Sequence, residues 1–424
     1  MAFDLVILIS MLFAFALGVF LFKLPAGVSL MLGAVTGSIV GGEGIPIRHL
    51  VEGSIAFIDP IIIVITAMVF MKVMEETGAL ASINFGLMNS MHKYPTILII
   101  LITFFVMLPG MLTGISSTCI LTTGALVAPA LLAMGMPKQA VGALISVAAV
   151  FGMIAPPINL PIMIIGGGVD MPYIGFDKPL ILLVFPLAII SAVYYRFMYI
   201  KKYNIKEVLE KLPPSVFTKY GTKLFLPLVL VLLVMVATRI FADTIPDIGI
   251  PMIFVLGVVS SYFTGKKFNL IELSRKAIRD SLPILVILVG VGMFVQIMTL
   301  TGVRGFIAIS AIELPRVFLY IGIALIMPAF GSAFASSSVL GVPLIFVFLG
   351  TNEIVVASAL SLIAGLGDLM PPPSLLPIFA SHIVGEKNHF TILKKAIPII
   401  LLSLAFSVLV LIFAKDIGSF INVN

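Results

Sequence analysis

The chain has 424 residues, of which 61% are hydrophobic and only 10% are charged. Soluble domains are about 45–50% apolar and about 25% charged, so a soluble protein of this length could not cover its surface with so few charges. The composition excludes a cytosolic enzyme, a nucleic-acid binder and a disordered chain. It predicts an all-α polytopic membrane protein, because the apolar runs far exceed the ~10 residues of a barrel strand.

Apolar segments long enough to cross a membrane follow one another along the chain. A helix needs about 20 apolar residues to span the hydrocarbon core. The pattern predicts eleven such segments, at residues 3–22, 25–42, 54–73, 95–110, 140–167, 179–198, 224–242, 250–264, 282–300, 354–381 and 396–416. Residues 112–135 and 316–350 are also apolar but are interrupted by Gly, Pro and Ser.

The distribution of Lys and Arg predicts the orientation. The connection 196–223 carries seven basic residues and is expected to be cytoplasmic, whereas 168–178 and 242–249 carry mostly acids and should face outward. These assignments are consistent with one another only if segments 95–135 and 316–350 each enter and leave the membrane on the same side. Both are therefore predicted to be re-entrant helical hairpins, which leaves ten or eleven crossings. We expect a multi-pass protein of the cytoplasmic (inner) membrane.

The chain contains an internal repeat. Residues 156–162 read PPINLPI and residues 372–378 read PPSLLPI, an offset of 216, and Thr77-Gly78 recurs as Thr301-Gly302. The order of these landmarks indicates a gene duplication. The predicted organisation is an N-terminal helix (1–24), repeat 1 (25–200), a cytoplasmic loop with a linking helix (201–249) and repeat 2 (250–419). The charge pattern makes the repeats inverted, as in many secondary transporters.

Each repeat contains two sites where Gly or Pro breaks an apolar helix. One lies in the hairpin and holds a cluster of Ser; the other is a tandem-proline break. Irregular backbone at membrane depth is tolerated only where it is buried or faces water. Its carbonyls and hydroxyls suit a hard cation such as Na⁺, and exposed helix starts suit an anion. Close packing of small residues is the structural alternative.

These breaks supply the candidate site residues. A first Na⁺ site is predicted from Gly114, Ser116, Ser117, Ala155 and Asn159. A second is predicted from Gly331, Ser332, Ser336, Gly367, Asp368 and Met370. Substrate contacts are predicted for Ser117, Asn159, Ser337 and Ser374.

Asp368 is the only acid in either tandem-proline break. A carboxylate at membrane depth is costly and usually functional. We therefore expect cation binding or protonation there, with a helix cap or a position at the cytoplasmic mouth as the alternative. Lys72 and Glu75 are expected only to flank a helix end, and no arginine is evident near the hairpin tips. No phosphate loop or nucleophilic triad is present, so an enzyme is not expected.

Three stretches carry a resemblance to a known family. They are Gly114-Ile-Ser-Ser-Thr, Val127-Ala-Pro-Ala-Leu-Leu-Ala-Met-Gly-Met and Gly152-Met-Ile-Ala-Pro-Pro-Ile, with Met370-Pro-Pro as the counterpart in repeat 2. They resemble the large membrane subunit of tripartite ATP-independent periplasmic (TRAP) transporters, of the ion-transporter superfamily. Ile158 departs from the pattern because the family has Ser after the Pro-Pro pair, and the second tip lacks the family's acidic residue.

The resemblance implies a Na⁺-driven elevator transporter that imports small organic acids, typically carboxylates. It also implies two partners, a small four-helix membrane subunit and an extracytoplasmic substrate-binding protein. A standalone Na⁺- or H⁺-coupled carrier of organic anions is the alternative, and a channel or a structural membrane subunit is a third interpretation. In an elevator, the arms at 78–93 and 302–315 would join a mobile body to a static scaffold.

Overall fold

The structure is a computed structural model that describes residues 2–200, 203–241, 244, 246 and 248–422. Within these residues the secondary structure consists of helices, without strands. The helices are α1 (Ala2–Leu21), α2 (Ala26–Val40), α3 (Ile47–Thr77), α4 (Ala79–Met91), α5 (Pro95–Thr113), α6 (Ser116–Ala133), α7 (Lys138–Ile154), α8 (Leu160–Gly167), α9 (Asp177–Tyr199), α10 (Ile205–Glu210), α11 (Phe217–Ile240), α12 (Ile250–Thr264), α13 (Leu270–Leu300), α14 (Val303–Ile312), α15 (Arg316–Ala329), α16 (Ala333–Phe348), α17 (Glu353–Gly365), α18 (Leu375–Val384), α19 (His389–Ile412) and α20 (Ala414–Phe420).

The predicted all-α membrane architecture is confirmed. Among the described residues, eight helices are long and apolar enough to cross a membrane, and further apolar helices are shorter. The predicted breaks are confirmed, because the apolar segments 140–167 and 354–381 are each divided into two helices at their tandem prolines. Proline has no backbone N–H and cannot continue a helix. Of the residues used to orient the chain, Lys201, Lys202, Asp243 and Asp247 lie outside the described residues.

The order of elements in the first half recurs in the second. Helices α2 to α9 correspond in turn to α12 to α19, and α3 and α13 both span 31 residues. A π-helical turn interrupts the second arm of each hairpin, at Ile120–Gly124 and at Ser337–Gly341. Gly78 follows the end of α3 with a φ of 78°, and Gly302 precedes the start of α14 with a φ of 76°. Both angles are in the left-handed region, which favours glycine. This common order supports the duplication; the inverted orientation of the halves stays a prediction.

Helices α2 and α3 cross the long helix α13 at pairs of glycines. A Cβ atom on Gly290 would lie 2.2 Å from the carbonyl oxygen of Gly27, and one on Gly292 would lie 2.1 Å from that of Gly53. Small residues at such crossings let helix backbones approach closely. Helix α1 also packs against α2, and α12 packs against α3, so α1, α2, α3, α12 and α13 form one packed group, which we call the scaffold group.

The other group consists of hairpin 1 (α5 and α6), hairpin 2 (α15 and α16) and the proline breaks with the helices on either side of them (α7, α8, α17 and α18). We call it the body group. Within hairpin 1, the Thr123 hydroxyl donates to the carbonyl of Val106, 3.1 Å away, and joins α6 to α5. Helix α7 is buried from Ala140 to Ile154 and packs against α5, α18 and α19. The amphipathic arms α4 and α14 connect this group to the scaffold group, at the positions predicted.

Candidate functional site

The carboxylate of Asp368 bridges the tips of both hairpins. Asp368 lies in a 3₁₀ turn that ends α17 and is only 5% exposed. Its Oδ2 accepts a hydrogen bond of 2.6 Å from the Ser116 hydroxyl, and its Oδ1 accepts one of 2.8 Å from the backbone N–H of Ala333. Ser116 is the first residue of α6 and Ala333 is the first residue of α16. One acid therefore contacts the same position in each repeat.

Repeat 1 has no room for an equivalent acid. By the offset of the tandem prolines, Asp368 corresponds to Gly152. A Cβ atom on Gly152 would lie 2.5 Å from the carbonyl oxygen of Met107 and 3.0 Å from the Cys119 sulfur. Close packing thus forces glycine there, and the single carboxylate of repeat 2 serves both hairpins.

The helix-cap interpretation of Asp368 accounts for only half of its contacts. A carboxylate at the Ala333 N–H is favourable, because α16 begins there and its dipole favours negative charge. Ser332 caps the same helix, with its hydroxyl oxygen 3.4 Å from the N–H of Ala335. The hydrogen bond from Ser116 has no such role, since it comes from the other repeat. The start of α6, with Ile115 at its N-cap, has no side-chain cap.

Asn159 holds the break of repeat 1 and links it to repeat 2. Its Oδ1 caps α8 by accepting from the Ile162 N–H at 3.0 Å. Its Nδ2 donates to the Ile154 carbonyl at 2.9 Å and to the Ser361 hydroxyl on α17 at 3.1 Å. Its amide oxygen keeps one free lone pair at most. A role for Asn159 in ion or substrate binding stays a prediction.

Two of the predicted hydroxyls are buried without a partner. Ser336 and Ser374 are 0% exposed, and their oxygens have no hydrogen-bond partner among the described residues. Ser337 differs, because its hydroxyl donates to the Ala333 carbonyl at 2.7 Å. An unsatisfied buried polar group costs about 1–3 kcal/mol, which a bound ion or a water can offset. Hydroxyl and carboxylate oxygens are the type of ligand that a hard cation prefers.

Each hairpin tip lies directly against the break of its own repeat. A Cβ atom on Gly331 (φ 65°) would lie 1.8 Å from the Pro372 carbonyl oxygen, and one on Gly114 (φ 69°) would lie 2.5 Å from the Leu160 side chain. In repeat 2, a Cβ on Gly367 would be 3.3 Å from the Ser332 nitrogen of the hairpin tip.

The remaining candidates form hydrogen bonds within the breaks. The Met370 carbonyl accepts from the Ser374 N–H at 3.0 Å. The Ala155 N–H donates to the Phe151 carbonyl at 2.8 Å.

The structure joins residues that the sequence assigned to different sites. Ser116 was expected in the first site with Asn159, but it contacts Asp368 of the second. Ser117 points elsewhere, into a cavity of about 270 Å³ that Lys72 also lines. The Lys72 ammonium lies 2.9 Å from Asp280, a residue of α13 in the other half. The sequence indicates for Lys72 only the flank of a helix end, because no residue nearby in the chain identifies Asp280 as its partner.

Comparison with known proteins gives a fold. No family model and no curated protein matches the chain. Among solved structures, it is similar to the YdaH transporter of Alcanivorax borkumensis, whose crystal structure is described as having an unusual topology. The TM-score is 0.60 at 17% identity, over 87% of each chain. The chain is therefore a polytopic α-helical membrane protein with the fold of a known membrane transporter.

Proposed function

We propose that the chain is a cation-coupled secondary transporter that imports small organic acids by an elevator mechanism. The observation that carries the proposal is the Asp368 carboxylate between the hairpin tips of the two repeats. The fold shared with the YdaH transporter supports transport. The TRAP-like motifs at the tips and breaks support organic acids as the substrates.

The proposed coupling follows from the cost of a charge in the membrane. A bare carboxylate at the centre of a bilayer is disfavoured by several kcal/mol. A cation or proton bound at Asp368 neutralises it and leaves Ser116 and Ala333 with a changed partner. We infer that the body group moves only with Asp368 neutralised, and that α4 and α14 flex at Gly78 and Gly302 as it moves.

Sodium is the proposed coupling ion. The oxygens around the hairpin tips support it, because Na⁺ replaces its hydration shell with hydroxyls, carbonyls and carboxylates. Proton coupling uses the same carboxylate without additional ligands. The two proposals differ in a measurable way, since only the first requires a Na⁺ gradient.

The decisive experiment uses the purified chain in proteoliposomes, both alone and with any subunits that copurify with it. Uptake of a panel of radiolabelled mono- and dicarboxylates is measured with a Na⁺ gradient, with a pH gradient and with neither. We expect gradient-driven uptake, which Asp368→Asn abolishes. The matched control is Asp416→Asn, the same change at an exposed acid in α20. Uptake by Asp368→Asn that keeps the wild-type response to both gradients would refute the proposal.

Two arrangements of this transporter make different predictions about partners. The TRAP-like motifs support a complex with a small four-helix membrane subunit and an extracytoplasmic binding protein. The alternative, a standalone carrier, is supported by a cavity of about 700 Å³ that Pro157 of the first proline break lines, because it gives this chain a place of its own for a substrate. Uptake by the purified chain alone would establish the second arrangement. Uptake that requires copurified subunits would establish the first.

A further inference from the structure

A cavity of about 700 Å³ lies beside the proline break of repeat 1. Its lining includes Met111 of hairpin 1 and Pro157 of the break. Leu232 and Met235 of α11, which lies outside both repeats, also line it. Most of the lining is apolar. Cavities with apolar walls and a few convergent polar groups are typical of small-molecule sites.

The polar side chains that line this cavity are Asp177, Lys178, Arg239 and Asn422, and Arg239 forms an ion pair with Asp177. Arg239 lies in the last turn of α11, and Asp177 is the first residue of α9. The guanidinium is hydrogen-bonded to the carboxylate through Nη1, and the two side chains are 30% and 31% exposed. Both helix ends favour the charge they carry. The pair thus fixes α11 to α9, but a third of each side chain remains accessible to a ligand.

Arg239 also contacts the break itself. Its Nη2 lies 3.4 Å from the carbonyl oxygen of Pro157, which also accepts a hydrogen bond of 3.1 Å from the Tyr173 hydroxyl. Desolvation raises the pKa of Tyr173, so that hydroxyl stays protonated and donates. The guanidinium lies 5.9 Å from the centre of the Tyr173 ring, within cation–π range. These contacts hold the cation at the junction between α11 and the break.

An arginine in this position is suited to a carboxylate ligand. A guanidinium presents five N–H donors in a planar fork that matches a carboxylate in two parallel hydrogen bonds. In the structure Asp177 accepts from Nη1 alone, while Nη2 lies toward the Pro157 carbonyl. A ligand carboxylate that replaces Asp177 can engage both arms of the fork. The sequence indicated no arginine near the hairpin tips. The fold instead brings Arg239 to the break, because α11 packs beside residues far away in the sequence.

We propose that this cavity binds the carboxylate of a small organic acid, with Arg239 as the anion receptor and Asp177 as the counter-ion that the ligand replaces. The apolar walls then contact the carbon chain of the acid. This inference rests on the proposed function and names the residue that recognises its substrate class. Since Pro157 belongs to the body group, an acid bound here changes a contact between that group and α11.

The test measures binding without transport. The purified full chain is placed in nanodiscs of zwitterionic lipid, and binding of 4,4,4-trifluorobutyrate is followed by ¹⁹F NMR, with the neutral 4,4,4-trifluorobutanamide as the comparison. We expect the acid to bind and the amide not to bind. Arg239→Gln and Arg239→Lys should each weaken binding of the acid at least about tenfold, because neither retains the fork. Asp177→Asn should strengthen it.

Two control variants separate recognition from folding. Arg48→Gln makes the same change at an arginine whose side chain is 85% exposed, and it should bind like the wild type. The double variant Asp177→Asn/Arg239→Gln leaves no unpaired charge; it should melt near the wild-type temperature and still fail to bind. Unchanged binding by Arg239→Gln would overturn the proposal. The proposal would also be overturned if the chain retained an anionic lipid through Arg239 but did not bind the trifluoro acid.

This proposal and the proposed function fail in different ways. Coupled uptake is scored with Asp368→Asn, and binding of the trifluoro acid is scored with Arg239→Gln. Coupled uptake of carboxylates without Arg239-dependent binding would overturn the site at Arg239 and leave the transporter proposal standing. Arg239-dependent binding without gradient-driven uptake would overturn the transporter proposal and leave the site at Arg239 standing.

Discussion

The Ser116 hydroxyl donates to Asp368 Oδ2 over 2.6 Å, although the two residues are 252 positions apart and belong to different repeats. This hydrogen bond, together with that from the Ala333 N–H, makes the two hairpin tips share a single charged group. A change in the charge of Asp368 therefore reaches both halves of the protein at once. The proposed coupling at Asp368 rests on this shared contact.

The energetic link between Ser116 and Asp368 can be measured by a double-mutant cycle. Ser116→Ala and Asp368→Asn each remove one side of the hydrogen bond. Because a hydrogen bond to a buried carboxylate contributes about 1.5–3 kcal/mol, the two changes should be non-additive by a similar amount in unfolding free energy. The control pair is Ser54→Ala with Asp368→Asn, because the Ser54 hydroxyl donates to the Val51 carbonyl within its own helix. Additive effects in the Ser116 pair would contradict the bridge.

Asn159→Ala tests the break of repeat 1. The substitution removes the cap of α8 and the link to Ser361, and the loss of an N-cap costs about 0.5–2 kcal/mol. We expect uptake to lose its dependence on Na⁺ to a greater extent than the protein loses abundance in the membrane, and the same for Ser117→Ala. Uptake assays at several Na⁺ concentrations, with quantitative immunoblots, measure both. A wild-type Na⁺ response in both variants would show that neither residue belongs to the ion site.

The crossing of α2 and α13 should tolerate no side chain at Gly290. In Gly290→Ala the new methyl group would lie 2.2 Å from the Gly27 carbonyl oxygen, so the helices must separate. Overpacking of this kind costs about 1–3 kcal/mol, and the melting temperature should fall. Gly305→Ala is the control, because its Cβ would have no neighbour within 4 Å. Equal melting temperatures for the two variants would contradict the crossing.

The orientation of the chain can be tested with single cysteines. In a Cys119→Ser background, a cysteine at position 206 should be protected from an impermeant thiol reagent in intact cells, whereas one at position 174 should be labelled. The physical reason is the excess of Lys and Arg in the connection 196–223, which favours the cytoplasmic side. Labelling at position 206 in intact cells would reverse the assignment. The buried Cys119 gives little background of its own.

The sequence by itself determined the fold class, the proline breaks and the common order of the repeats, whereas the re-entrant course of the hairpins stays a prediction. Composition and hydropathy are sufficient for this because the bilayer requires long apolar helices. A Gly or Pro that interrupts such an apolar run can therefore be identified in the sequence. It also identified Asp368 as the one acid in either break. These features depend on residues close together in the chain.

Only the tertiary structure decided which of these residues meet. Asp368 contacts Ser116 of the other repeat, Lys72 contacts Asp280, and Arg239 reaches the Pro157 carbonyl. Each contact joins helices that are distant in sequence, and hydropathy carries no information on which faces of two apolar helices pack together. The assignment of Ser116 to a site with Asn159 followed proximity along the chain. The packing of the tips instead placed Ser116 beside the charge of the other repeat.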